Sequence, residues 1–170
     1  MKTLFIGRFQ PFHNGHLAVI QHYADKKSSF SIGIGSSQYG NTIDNPFTFE
    51  ERKEMIQQIV CSYMENYSVE VVPIPDIHDP SRWVNHVKRI IPDFDIILSN
   101  NPLTKALFTE KGHIVKTTKL FDRNNYSGKE IRRRMIYNEP WEHLVPPTVA
   151  IYLNQIDAVK RMRRLQEQEG

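Results

Sequence analysis

The stretch Gly7-Arg8-Phe9-Gln10-Pro11-Phe12-His13-Asn14-Gly15-His16-Leu17 lies between a short apolar run typical of a β-strand, residues 4–6, and an apolar pattern typical of a helix start, residues 17–20. In an open α/β sheet, the passage from strand to helix lies at the carboxyl edge of the strands, where ligands bind. A helix N-terminus adds unpaired backbone N–H groups and a partial positive charge there. Because His13 and His16 are three residues apart, a helix that begins near His13 presents both imidazoles on one face. The stretch therefore predicts a phosphate-binding site.

Apolar runs and helix-length segments alternate along the chain. Strands are predicted at residues 3–6, 30–35, 69–73, 96–99 and 114–117, and helices at residues 16–25, 48–64, 80–91 and 102–110. Such alternation is typical of βαβ units with right-handed crossovers. We expect an α/β fold with a Rossmann-like, doubly wound parallel sheet of five strands in the order 3-2-1-4-5, and a ligand crevice between strands 1 and 4. Residues 1–170 are expected to form a single domain, with a core over 1–135 and a C-terminal helical extension over 136–170 that contains one long helix or a helix pair.

The composition is that of an ordinary globular protein, with 39% hydrophobic and 24% charged residues in a chain of 170. No apolar run is long enough to span a bilayer, and the first apolar segment is too short for a signal peptide. Cys61 is the only cysteine, which excludes a disulfide framework and a cysteine metal site and favours a cytoplasmic location. A net charge of +3 suits small anionic ligands and does not require nucleic acid.

Four later segments carry residues that begin helices. Two are Ser/Thr-x-x-Glu capping boxes, and two are a capping residue followed by proline. They are Thr48 with Glu51, Ser127 with Glu130, Asp79 with Pro80, and Asn101 with Pro102. The box at Ser127 therefore adds a second helix N-terminus that can donate to phosphate.

Four residues allow two interpretations each. Arg52 either reaches a phosphate or pairs with a carboxylate on the helix surface. Trp83, in the first turn of its helix, either packs in the core or stacks on a flat aromatic ring. Gly35 and Ser36 either are small for packing or border the nucleotide crevice.

The segment His13-x-Gly15-His16, with its Gly-Arg-Phe-Gln-Pro-Phe lead, resembles the HxGH motif of the nucleotidyltransferase superfamily. The longer string is similar to archaeal-type nicotinamide mononucleotide (NMN) adenylyltransferases. Further blocks of this family are matched in order over about residues 3–135, with Asn100 where glycine is usual, Lys129 where threonine is usual, and Asp44 where a basic residue can stand. These blocks are Asn45-Pro46-Phe47-Thr48 with Glu51-Arg52, the segment 76–83, Ser99-Asn100-Asn101-Pro102-Leu103, and Ser127-Gly128-Lys129-Glu130-Ile131-Arg132.

The resemblance implies transfer of AMP from ATP to NMN, giving NAD and pyrophosphate, by direct in-line attack without a covalent intermediate. It implies His16 and Arg132 at the α-phosphate and His13 and Arg8 at the β- and γ-phosphates as catalytic residues. ATP or NAD binding is implied for Ile6, Gly7, Arg8, His13, Gly15, His16, Ser36, Asn100, Tyr126, Ser127, Gly128 and Arg132, and NMN binding for Asp76, Ile77, Trp83 and Phe47. Mg²⁺ is expected to bridge the phosphates without a protein ligand, and relatives of this type suggest a homo-oligomer.

Three other functions stay open from the sequence. Another HxGH nucleotidyltransferase would use a different phosphate acceptor, such as phosphopantetheine. An RNA-binding module would use the two arginine-rich helices, but the modest net charge argues against it. A nucleotide sensor would bind without turnover. We expect neither a nucleic-acid nor a membrane partner.

Overall fold

The computed structural model describes residues 1–24, 29–116 and 126–169. Strands and helices alternate through it as far as the last strand, and three helices follow. The elements are β1 (Lys2–Gly7), α1 (Asn14–Tyr23), β2 (Ser29–Gly35), α2 (Phe49–Tyr63), β3 (Ser68–Ile74), a 3-10 turn (Pro80–Arg82) that leads into α3 (Trp83–Ile90), β4 (Ile96–Leu98), α4 (Pro102–Glu110), β5 (Ile114–Lys116), α5 (Gly128–Ile136), a second 3-10 turn (Glu142–Leu144), α6 (Pro147–Gln155) and α7 (Ala158–Glu169).

The five strands form one parallel sheet in the order β3-β2-β1-β4-β5. The predicted fold class and strand order are therefore confirmed. Most predicted element ends agree with the structure within two residues. The predicted helix end at residue 25 and the predicted strand end at residue 117 lie outside the described residues.

Successive side chains of β1 are buried on opposite faces of the sheet, as the two-residue period of a strand requires. Phe5 joins a large cluster with α1, α2, α5, α6 and α7, whereas Leu4 and Ile6 join a smaller cluster with α3 and α4. Because helices cover both faces, the central strands are apolar throughout.

The C-terminal segment forms the helix pair α6 and α7, and its apolar side chains belong to the same cluster as β1 and α2. Val149, Leu153 and Met162 are buried there. Arg161 of α7 also forms a two-pronged ion pair with Glu51 of α2, at 2.6 and 2.7 Å. These contacts tie the segment to α2 and to the helices on that face of the sheet. No helix in the described ranges has both the length and the apolar character of a membrane span.

Candidate active site

Helix α1 begins with a capping box made of two imidazoles. His13 is the N-cap: its Nδ1 accepts a hydrogen bond from the Gly15 N–H over 3.1 Å, and its own N–H donates to His16 Nδ1 over 3.0 Å. The two rings stack with their centres 3.6 Å apart. Capping boxes commonly use a hydroxyl and a carboxylate or amide for these two bonds. Since each Nδ1 accepts a hydrogen bond, each neutral ring carries its proton on Nε2 and offers that N–H as a donor.

Aromatic packing keeps both imidazoles uncharged. The His16 ring centre lies 4.7 Å from that of Phe9, 5.3 Å from Phe12 and 6.1 Å from Phe5. Burial lowers the pKa of His13 to about 3. Burial, and then the neighbouring His13, lowers the pKa of His16 well below its usual value. Both rings are therefore neutral at pH 7 and donate hydrogen bonds without carrying a full charge.

A cavity of about 450 Å³ lies at the carboxyl ends of β1 and β4, where the strand order predicts the crevice. The first residues of α1 and α5 both border it. Its lining residues are Phe5, Ile6, Gly7, Arg8, Phe9, Gln10, His13, His16, Gly35, Ser36, Asp76, Trp83, Ser99, Asn100, Asn101, Thr104, Ser127, Gly128, Lys129 and Arg132.

Two arginines of this cavity have no ion-pair partner among the described residues. Arg8 is exposed, and its Nη1 lies 3.3 Å from Asn45 Oδ1. Arg132 is 7% exposed, and its Nη1 donates to the Gln10 carbonyl over 2.7 Å. Burial, and then the charge of Arg8, lowers the pKa of Arg132 to about 10, so its guanidinium stays protonated at neutral pH. Positive charge without a counter-ion is suited to an anionic ligand such as a polyphosphate.

Helix α5 begins in contact with the loop that precedes α1. A Cβ on Gly128 would lie 2.7 Å from the Gln10 carbonyl oxygen and 2.9 Å from Arg132 Nη1. Glycine at this position therefore lets the helix approach closely enough for Arg132 to donate to that oxygen. A single hydrogen bond thus joins Gln10 and Arg132, which are 122 residues apart in the sequence.

The predicted capping box at the start of α5 is only half formed. Ser127 Oγ accepts from the Glu130 N–H over 3.1 Å, as predicted. The Glu130 carboxylate instead forms ion pairs with Arg133 at 2.9 Å and Arg134 at 3.0 Å. Two guanidinium groups are stronger partners than one backbone N–H, which accounts for the difference.

A smaller recess of about 170 Å³ adjoins the cavity. It shares Asp76, Trp83, Asn101 and Thr104 with the cavity, and is further lined by Ile77, His78, Asp79, Pro80, Leu103 and Leu107. Ser36 Oγ donates to Asp76 Oδ2 over 2.7 Å, and the Gln38 amide bonds both the N–H and the carbonyl of Asp76 at 2.9 Å. The residue at the junction of the two spaces is therefore held by its side chain and its backbone.

Trp83 packs in the core and also borders the space that a flat aromatic ring would enter, while its stacking on such a ring stays a prediction. The half-buried indole packs against the apolar cluster under α3, and it also borders the cavity and the recess. Its Nε1 is buried and has no hydrogen-bond partner among the described residues. His86 supports the ring from 5.6 Å while its Nε2 lies 2.8 Å from the Pro75 carbonyl oxygen.

Most predicted site residues are brought together, but not all. Those that line the cavity or the recess are Ile6, Gly7, Arg8, His13, His16, Ser36, Asp76, Ile77, Trp83, Asn100, Ser127, Gly128 and Arg132. Gly15 and Tyr126 lie behind His13, since a Cβ on Gly15 would be 2.9 Å from His13 Cε1 and 3.2 Å from Tyr126 Cβ. The Phe47 side chain is wholly buried and lines neither space.

Gln10 and Arg52 have roles that the sequence did not reveal. The buried Gln10 amide bonds both the N–H and the carbonyl of Phe47 at 2.9 Å, and so joins the loop before α1 to the loop before α2. Arg52 is wholly buried and donates to backbone carbonyls, so both interpretations of it, phosphate or surface carboxylate, are corrected. The signal available in the sequence was weak: a polar residue inside an aromatic motif, and an arginine in an amphipathic helix. No group of three or more potential metal-ligating side chains occurs in the described part of the chain.

Comparisons with known proteins show which family this chain belongs to. The sequence pattern of the cytidylyltransferase-like family matches residues 4–134. A nicotinamide-nucleotide adenylyltransferase from Methanococcus aeolicus is 46% identical over 97% of this chain and 95% of its own, and one from Archaeoglobus fulgidus is 42% identical over 96% of both chains. The crystal structure of a bifunctional NMN adenylyltransferase/ADP ribose pyrophosphatase from Francisella tularensis superposes with a TM-score of 0.78 at 20% identity. It covers 96% of this chain, which spans about half (52%) of that protein, and the likeness shows the fold.

Proposed function

The chain belongs to the cytidylyltransferase-like family and to the nicotinamide-nucleotide adenylyltransferases within it, and we propose that it transfers AMP from ATP to NMN, giving NAD and pyrophosphate. One observation carries the proposal: His13, His16, Arg8 and Arg132 line one cavity, and that cavity opens on a recess bordered by Trp83. N–H donors and unpaired positive charge suit a triphosphate, whereas a mainly apolar recess with a few polar groups suits a nicotinamide ring.

In the proposed reaction, a phosphate oxygen of NMN bonds to the α-phosphorus of ATP while the bond from that phosphorus to the oxygen of the β-phosphate breaks. Pyrophosphate leaves with the bonding electrons. His16 and Arg132 donate to the α-phosphate oxygens, where negative charge develops, and His13 and Arg8 hold the β- and γ-phosphates. Catalysis then consists of positioning and charge stabilisation.

The remaining roles follow the same division of the site. The NMN ring stacks on Trp83, and Asp76 and the backbone of Ile77 bind its carboxamide and ribose. The groups proposed to bind ATP or NAD besides the four catalytic residues are those of Ile6, Gly7, Gly15, Ser36, Asn100, Tyr126, Ser127 and Gly128. Phe47 contributes indirectly, because its backbone N–H and carbonyl are hydrogen-bonded to the Gln10 side chain in the loop before α1.

A divalent cation, with Mg²⁺ as the expected ion, would be needed with ATP and would offset the negative charge of its phosphates. The described residues include no group of three or more side chains that could hold it, and the ligands we expect for it would be phosphate oxygens and water. A second structure of a bifunctional NMN adenylyltransferase/ADP ribose pyrophosphatase from Francisella tularensis is a complex with AMP and a Mn ion. It superposes with a TM-score of 0.75 at 22% identity, and the match covers 96% of this chain and 51% of the Francisella chain.

The test is an assay of the purified protein with ATP, Mg²⁺ and NMN, in which NAD is measured by coupled reduction and pyrophosphate independently. His16→Ala is expected to lower turnover by about 10²–10³-fold with the fold intact, because it removes a donor to developing charge. His22→Ala is the matched control, since His22 is an exposed imidazole of the same helix. Binding of ATP without NAD formation would favour a sensor, and a product formed only with another phosphate acceptor would favour a sister transferase.

We also propose, from the sequence, a single domain over the whole chain, a cytoplasmic location and a homo-oligomeric assembly. A single unfolding transition in calorimetry and a mass above 19.9 kDa by light scattering are the expected results. Two separate unfolding transitions would show more than one domain, and a monomeric mass would exclude the homo-oligomer.

A further inference from the structure

Every N–H group of the Arg52 guanidinium donates a hydrogen bond to a backbone carbonyl. Its side chain is wholly buried, and its Nε donates to the Thr48 carbonyl over 3.2 Å. Nη1 donates to the carbonyls of Arg8 and Gly35 at 3.0 and 2.8 Å, and Nη2 to those of Ser36 and Tyr39 at 3.1 and 3.2 Å. A guanidinium has five N–H donors, so all five are bonded to carbonyl oxygens. Among the described residues, Arg52 forms no ion pair.

Three of these carbonyls belong to residues that line the cavity: Arg8 after β1, Gly35 at the end of β2, and Ser36 after it. Ser36 has φ 49°, a left-handed conformation that a non-glycine residue holds only when its surroundings fix it. Its carbonyl is fixed by Arg52 and its hydroxyl by Asp76. One buried side chain thus joins two strand ends and, through Ser36, reaches the residue shared with the recess.

Arg52 also places a charge behind the site. Burial, and then the charge of Arg8, lowers its pKa to about 10, so it stays a cation at neutral pH. Removing such a group from water is unfavourable unless its charge is compensated. A bound polyphosphate would supply negative charge beside Arg8, on the cavity side of the peptides that Arg52 holds.

Resting on the proposed function, we propose that Arg52 is a positioning residue for adenylyl transfer: its guanidinium holds the Arg8 and Ser36 peptides in the arrangement that receives ATP. Its contribution is geometric, and it touches neither substrate. Lysine keeps the charge but has three donors on one nitrogen, so it cannot reproduce a planar contact with five carbonyls.

The experiment compares Arg52→Lys and Arg52→Gln with Lys53→Gln, which removes a cation from the next position of α2. Lys53 is a suitable control because its Nζ lies 5.9 Å from the Phe49 ring centre and the residue does not line the cavity. Per folded molecule, both Arg52 variants are expected to lose about 10²-fold in kcat/KM for ATP, since a misplacement near 1 Å costs about that much. The Lys53 variant is expected to match the wild type.

A purely structural role would lower only the melting temperature and the folded fraction. Full kcat and KM in folded Arg52→Lys would therefore overturn the proposal. If neither variant folds, the wild-type guanidinium is examined by ¹⁵N NMR: five bonded N–H groups predict separate, slowly exchanging Nη–H signals, and one averaged signal would refute the arrangement. If the wild type makes no NAD, the proposed function fails. The positioning role is then tested by itself, by measuring the affinity of the wild type and of Arg52→Lys for a non-hydrolysable ATP analogue. Equal affinities would overturn it.

Discussion

Gly128→Ala tests whether the two halves of the site must touch. The added Cβ would lie 2.7 Å from the Gln10 carbonyl oxygen, whereas ordinary contact begins near 3.4 Å, so the start of α5 must retreat by about 0.7 Å. The same Cβ would lie 2.9 Å from Arg132 Nη1, which donates to that oxygen. The substitution therefore separates Arg132 from the loop that carries the imidazole pair.

The expected loss in kcat is on the order of 10–100-fold, because displacements approaching 1 Å in a positioned site cost about 10² in rate. Stability is expected to fall by no more than about 2 kcal/mol, since overpacking costs about 1–3 kcal/mol and alanine recovers about 0.8–1 kcal/mol of helix propensity over glycine. Turnover and stability should thus separate, with the larger effect on turnover.

The assay is NAD formation at saturating ATP and NMN, with thermal unfolding measured in parallel. Gly112→Ala is the matched control: Gly112 has φ 83° and open space around its Cβ position, so alanine is expected to cost about 1 kcal/mol, or about 2–4 °C, without loss of turnover. Wild-type kcat in Gly128→Ala, with α5 displaced or not, would refute the reasoning that Arg132 acts from this position.

Three further outcomes are expected. Trp83→Ala should raise the KM for NMN more than that for ATP, and equal increases would assign the indole to core packing alone. Because the pKa of His13 is lowered to about 3 from 6.5, the unfolded chain binds its proton first as pH falls. The contribution of His13 to stability, measured by urea unfolding of the wild type and His13→Asn, should be constant above about pH 6.5 and decline below it by up to about 1.4 kcal/mol per pH unit, and His16 should add a decline of the same sign. An acid limb unchanged in His13→Asn would exclude His13 as its source. Arg161→Met should lower stability by about 1–3 kcal/mol, because it leaves a half-buried Glu51 unpaired, whereas Arg163→Met on the exposed face of the same helix should change it by less than about 0.5 kcal/mol; similar losses in both would show that the ion pair contributes little.

The fold could be predicted because its signals are local. Residues 4–6 are apolar without alternation, as a strand covered on both faces must be, and the helix starts carry their capping side chains in sequence. Thr48 and Asn101 cap as predicted, and the βαβ alternation with right-handed crossovers leaves few topologies, among which is the observed strand order. The residues at the helix N-termini were found by the same local logic.

The rest depends on contacts between distant segments, for which neither propensity nor spacing gives a signal. Gln10 bonds the Phe47 peptide 37 positions away, and Arg52 reaches the Arg8 carbonyl 44 positions away. The resemblance implies that Phe47 binds NMN, yet its ring packs in the core and its peptide is hydrogen-bonded to Gln10 in the loop before α1. Glu130 departs from its capping role because Arg133 and Arg134 lie within one turn, a competition that a four-residue motif does not register.

The way α1 begins also bears on which chemistry the two imidazoles can perform. In each ring the lone pair of Nδ1 accepts a hydrogen bond from a backbone N–H, and Nε2 carries the proton. Neither ring in this form therefore has a free electron pair that could attack phosphorus. A nucleotidyl group on Nδ1 of either ring would first require the loss of one of these capping hydrogen bonds. The bonds that start the helix therefore disfavour both histidines as nucleophiles, which is consistent with the proposed direct attack by the phosphate of NMN.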